Sequence, residues 1–143
     1  MTLLKSYYQL CKPNVVYMML ICAFVGMLLA EESVGSFRYL LVALTGIALC
    51  SASAAAINQV IDRNTDASMT RTDQRPLPKG ELSATHASVF AFVIGVIGAL
   101  ILYFYVNTLT MILTIASLIG YAFIYTIYLK RATPQNIVIG GLA

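Results

Sequence analysis

Four long apolar runs, at residues 13–30, 39–61, 87–105 and 109–129, constrain this chain more than any other feature. Each is close to the roughly 20 residues that a helix needs to cross the hydrocarbon of a bilayer. With 59% hydrophobic and only 10% charged residues, the chain lies far from a soluble domain, where about a quarter of residues are charged. The fold class that follows is all-α: a polytopic transmembrane helix bundle of four spans, read as a single domain over 1–143, with the lipid bilayer as its first partner.

The placement of charge orients the bundle. Eight of the nine basic residues lie at the N-terminus (Lys5, Lys12), in the link after the second run (Arg63, Arg71, Arg75, Lys79) and after the fourth (Lys130, Arg131). The remaining one, Arg38, sits beside Glu31 and Glu32. By the positive-inside rule the N-terminus, the 62–86 loop and the end after residue 129 face the cytoplasm, as in a bacterial inner membrane. A cleaved signal peptide is disfavoured, because the first run is longer than the usual apolar core and no A-x-A site precedes Glu31. Cys11, Cys22 and Cys50 show no paired spacing and read as packing residues.

Small side chains mark where helices approach one another. The second run contains "CSASAAA" (50–56), and the third carries Ala91, Gly95 and Ala99 at four-residue spacing. Tyr103, Tyr105 and Tyr128 lie near span ends, as interfacial tyrosines do. Pro76, Pro78 and Gly80 break the 67–86 part of the loop, and Ser83 is placed to cap the next helix. His86, the one histidine, reads as a polar residue at a helix entrance. The closing stretch "TPQNIVIGGLA" starts a fifth apolar run too short to cross a membrane, so the chain is expected to be the front part of a longer protein.

The chemistry is concentrated in "NQVIDRNTDASMTRTDQRPLPKG" (58–80), which holds three of the six acidic residues and four of the nine basic ones. Asn58, Asp62 and Asp66 recur every four residues, and each such step turns a helix position by only about 40° and advances it about 6 Å. All three fall on one face, while Arg63 and Asn64 point elsewhere. Two carboxylates and an amide oxygen are hard ligands suited to Mg²⁺, which completes its shell with water and substrate phosphate. Arg71, Arg75 and Lys79 follow on the loop and supply phosphate-gripping cations. Metal and arginines at a membrane surface suggest a diphosphate with an apolar tail. The bland alternative is a topology-setting loop with Asp62 and Asp66 solvated.

N-x-x-x-D-x-x-x-D followed by "RTDQRPLPKG" resembles the first aspartate-rich motif of the intramembrane prenyltransferase superfamily. Within it, "DASMTRTDQRPLPKG" is similar to the D-x-x-M-x-R-T-x-x-R-P-L-x-x-G of the protohaem IX farnesyltransferase (haem O synthase) family. "YTIYLKRATPQNIVIGG" (125–141) resembles that family's Y-T-x-x-L-K-R-x-T-P-x-N, and "CKPNVV" its opening K-P. The resemblance covers essentially the whole chain. Family members have further helices and a second aspartate-rich motif, and this sequence stops before it. An incomplete site, inactive alone, is therefore expected.

The resemblance implies a Mg²⁺-dependent transfer of farnesyl from farnesyl diphosphate to a vinyl group of protohaem IX, giving haem O for terminal oxidase assembly. Asp62 and Asp66, assisted by Asn58, would be the metal ligands. Arg71, Arg75 and Lys79 would stabilise charge on the leaving diphosphate. Lys130 and Arg131 would contact diphosphate or haem propionates, with topology anchoring as the alternative. Tyr121 and Tyr125 would line the prenyl or cation path, with packing as theirs. Two rival readings are prenylation of an aromatic or quinone precursor, which "KRATPQN" opposes, and a transporter with Asp62 and Asp66 on its ion path. The transporter reading gives no reason for R-T-x-x-R-P-L.

Overall fold

The computed structural model describes residues 3–30, 36–70 and 72–129, and every regular element among them is helical. The elements are α1 (Leu3–Leu10), α2 (Pro13–Leu29), α3 (Phe37–Ala67), α4 (Ala84–Tyr105), α5 (Thr108–Ile119) and a π-helix (Gly120–Leu129) that continues α5. Three stretches, Phe37–Ala67, Ala84–Tyr105 and Thr108–Tyr128, are long and apolar enough to cross a membrane. A fourth qualifies if α1 and α2, bent by 46° at their junction, count as one span.

That junction modifies the expected first span at 13–30. α2 has 17 residues, about 26 Å of helix against a hydrocarbon core of about 30 Å, so α2 alone falls short. Pro13 lacks the N–H that would carry α1 onward and instead opens α2. Lys12 makes the turn with φ 48°, the left-handed region that costs a non-glycine residue about 1–3 kcal/mol. Its N–H still reaches Gln9 O at 3.2 Å, and its carbonyl accepts from Val15 N at 2.9 Å.

α3 outlasts its apolar run. It continues through Asn58, Asp62 and Asp66 to Ala67, where Ser68 ends it by donating from Oγ to Thr65 O at 2.7 Å. The helix expected to carry Asn58, Asp62 and Asp66 thus runs into the 62–86 loop as far as Ala67, and the chain leaves helical geometry at 68, close to the 67–86 break expected from Pro76, Pro78 and Gly80. At the far end Gly80 takes φ 72°, Glu81 N donates to Pro76 O at 2.9 Å, and Ser83 Oγ caps α4 by accepting from His86 N at 3.2 Å. The His86 side chain is exposed.

α3 and α4 pack through small residues. The α4 seam follows Ala87, Ala91, Gly95, Gly98 and Leu102, so Gly98 takes the place expected for Ala99. Two four-residue steps drift about 80° around the helix, and a three-residue step restores the line. Near the start of α4, Leu10, Ala56, Leu82, Ala87 and Ala91 form a buried cluster, with Tyr7 and Phe90 at 4.8 Å between ring centroids. Gln59 Nε2 donates to Gln9 O and Leu10 O, and Ser6 Oγ donates to Glu81 Oε2 at 2.6 Å. Together these contacts fix α1, the loop and the start of α4 around the end of α3.

Candidate functional site

Asn58, Asp62 and Asp66 share one buried face of α3, at 4%, 3% and 4% exposure, while Arg63 and Asn64 are exposed. The acids are therefore not the solvated pair of the bland alternative. Carboxylates this deeply withdrawn from water require cations or donors, and the neighbouring elements supply them. Arg75 folds back from the loop and donates from Nη1 to Asp66 Oδ2 at 2.5 Å. Thr72, also buried, sets that return by donating from Oγ1 to Asp66 O at 2.9 Å, and its own carbonyl accepts from Arg75 N at 3.1 Å. Asp62 Oδ2 accepts from Asn58 Nδ2 at 3.2 Å.

Two further residues complete the polar cluster from distant parts of the chain. The ammonium of Lys12, projected from the left-handed turn between α1 and α2, donates to Asn58 Oδ1. From the π-helix, the fully buried Thr126 accepts from Asn58 Nδ2 at 3.0 Å and donates to Tyr121 O at 2.8 Å. Neither is among the site residues expected from the sequence, although both lie in stretches that carry the family resemblance. Their signals were the K-P dipeptide before an apolar run and the threonine inside "YTIYLKR".

Below the cluster lies an apolar cleft of about 570 Å³ between α2, α3 and the α5–π segment, within the range of pockets that hold small molecules. Ile47, Ser51 and Ala54 line it from α3, Met18 and Cys22 from α2, and Leu118 and Tyr121 from the opposite side. The α3 residues stand three or four apart in line with Asn58, Asp62 and Asp66. One helix face therefore passes from apolar cleft to acidic end without a break. Tyr121 joins the two, and Tyr125 stacks on it at 5.7 Å with an interplanar angle of 9°.

The arrangement suits a cation with hard-oxygen preference: two carboxylates a helical turn apart, an amide oxygen beside them, and resident positive groups already on those oxygens. No cluster of three or more His, Cys, Asp or Glu side chains occurs among the described residues. A metal here would thus draw further ligands from the amide, water or a bound anion. Lys79 is exposed on the loop. Arg71, Lys130 and Arg131 lie outside the described residues.

Comparison with known proteins gives a consistent outcome. The profile of the UbiA prenyltransferase family matches residues 19–143. The chain is 59% identical over 139 residues to "Protoheme IX farnesyltransferase 2" of Pseudoalteromonas atlantica, covering 97% of this chain and 46% of that protein. It is 58% identical to the "Protoheme IX farnesyltransferase" of Idiomarina loihiensis (97% and 47% covered) and 55% identical to that of Shewanella oneidensis (97% and 46%). The chain spans about half the length of the curated relatives it matches. No solved structure matches it.

Proposed function

The chain belongs to the UbiA prenyltransferase family, and on that premise we propose that it supplies the diphosphate-binding part of a protohaem IX farnesyltransferase. The reaction is transfer of a farnesyl group from farnesyl diphosphate to the terminal carbon of a vinyl group of protohaem IX, with diphosphate leaving and water adding its hydroxyl to the other vinyl carbon, giving the hydroxyethylfarnesyl group of haem O. The observation that carries this reading is the unbroken face of α3, apolar cleft at one end and buried carboxylates at the other. A prenyl diphosphate has the same two-part chemistry, and the names of the relatives favour protohaem over an aromatic acid as acceptor.

Asp62 and Asp66, with Asn58 Oδ1, would hold Mg²⁺. When bound, the metal neutralises charge developing on the leaving diphosphate. Lys12 and Arg75 contact the same oxygens now, so a ligand that takes those oxygens frees both cations to face diphosphate. The ammonium then acts as a point charge and the guanidinium as a two-pronged donor. Arg71, Lys79, Lys130 and Arg131 are proposed to add positive charge from the same side, which the distribution of basic residues assigns to the cytoplasm. Tyr121 flanks the tail where cleft meets acidic face, and its ring, stacked on Tyr125, offers a negative π-face to an allylic cation. Apolar walls around the tail would protect that cation from premature capture by water.

The chain spans about half the length of these relatives, and further walls of the cavity are proposed to correspond to the part of their length that it does not cover. The test is to supply membranes containing the full-length protein with protohaem, farnesyl diphosphate and Mg²⁺. Haem O and released diphosphate are expected, with no haem O from 1–143 alone. Preferential prenylation of 4-hydroxybenzoate would overturn the acceptor assignment.

A further inference from the structure

Asn58 offers a cation one oxygen, and an amide turned over would present an NH2 group instead. Two hydrogen bonds decide its orientation, from Nδ2 to Asp62 Oδ2 and to Thr126 Oγ1. They differ in kind. The Asp62 carboxylate is itself a proposed ligand, so its oxygens have another claim on them. Thr126 has none: it is fully buried, and its hydroxyl proton is committed to Tyr121 O at 2.8 Å. A hydroxyl whose proton is spoken for can only accept, so it takes the NH2 of Asn58 and rejects its carbonyl.

We infer that Thr126 is a positioning residue, which holds the Asn58 amide with Oδ1 turned toward the cation of the site, where the Lys12 ammonium lies in this structure. The π-helix contributes directly. Its wider turn gives Thr126 a carbonyl five residues back, at Tyr121, to which the hydroxyl donates. The fourth span thereby acts on the acidic face without supplying a ligand. The inference rests on Asn58, Asp62 and Asp66 being the metal ligands, and the experiment separates the two claims.

The full-length protein in nanodiscs is titrated with Mn²⁺, followed by electron paramagnetic resonance, without diphosphate. Thr126→Ser keeps the hydroxyl and is expected to bind as the wild type does. Thr126→Val keeps the shape, loses the acceptor and is expected to weaken binding about tenfold, as removal of a group that orients a metal ligand does. In an Asn58→Ala background, Thr126→Val should have no further effect, because the residue through which it acts is gone. Wild-type affinity for Thr126→Val, or an undiminished loss in the Asn58→Ala background, overturns the positioning role. Should Thr126→Val fail to insert, Thr126→Ala removes the same hydroxyl without added bulk and carries the same expectation. Asp62→Ala is run alongside: Mn²⁺ binding that survives it would overturn the metal reading and this inference with it. Loss in Asp62→Ala together with wild-type binding by Thr126→Val would overturn this inference alone.

Discussion

Between Gly46 and Ser53, α3 meets α4 through side chains so small that backbones nearly touch. A Cβ on Gly98 would lie 2.9 Å from Gly46 O and from Cys50 Sγ, and one on Gly46 would lie 2.7 Å from Leu102. Between Asn58 and Asp66 the same helix buries polar groups whose partners come from the α1–α2 turn, the loop and the π-helix. Toward α4 the first region has no spare volume and few polar demands, which is how helices associate where water gives no hydrophobic drive. The second buries charge that packing alone would not favour, since a buried ion pair is seldom worth more than a well-packed apolar one. Shape limits stability in the first, and on the proposed reading charge serves function in the second.

The contrast breaks down most visibly if the acidic half proves to be structural. Asp62→Ala or Asp66→Ala in the full-length protein is expected to lower prenyl transfer by about a thousandfold or more while membrane insertion stays intact. Quantified haem O per inserted protein is the measurement, and wild-type turnover by either variant would remove the metal assignment. At the seam between α3 and α4 the reverse holds. Gly98→Leu is expected to destabilise the α3–α4 pair by about 1–3 kcal/mol, seen as a lower unfolding temperature in detergent, because the atoms it meets include backbone.

Smaller effects sharpen the boundary. Arg75→Lys preserves charge beside Asp66 but loses the planar fork. A several-fold rise in KM for farnesyl diphosphate, with insertion unchanged, is expected; an unaltered KM would leave Arg75 as a counter-charge only. The smallest effect belongs to Gly26 in α2, where an added Cβ meets nothing within 4 Å. Gly26→Ala is expected to shift stability by no more than about 1 kcal/mol in the stabilising direction, and a large loss would mean that α2 packs more closely than the structure shows.

The legible features were those that depend on local spacing. Apolar run lengths located the helices, four-residue spacing put Asn58, Asp62 and Asp66 on one face, and Ser83 before a helical pattern marked its cap. What stayed hidden depends on contacts across the chain. Lys12 reaches Asn58, 46 positions away, only because a left-handed residue precedes Pro13 and turns the side chain inward. Thr126 reaches the same amide across 68 positions from a π-helical segment. Aromatic and β-branched residues such as Tyr121, Ile124 and Tyr125 weaken α-helix preference there without specifying a wider turn. The spacing likewise gives no sign that Arg75, expected as a phosphate-gripping cation, pairs with the buried Asp66.

The most direct test is Asp62→Asn in the full-length protein, a change that keeps shape and removes one buried charge. Diphosphate release from farnesyl diphosphate, as a function of Mg²⁺, is measured beside the unfolding temperature. If the acidic end of α3 is there to bind a metal–diphosphate pair, Mg²⁺-dependent release is lost while the unfolding temperature holds or rises. Release at the wild-type rate, or a fall in unfolding temperature that accounts for the lost activity, would contradict it.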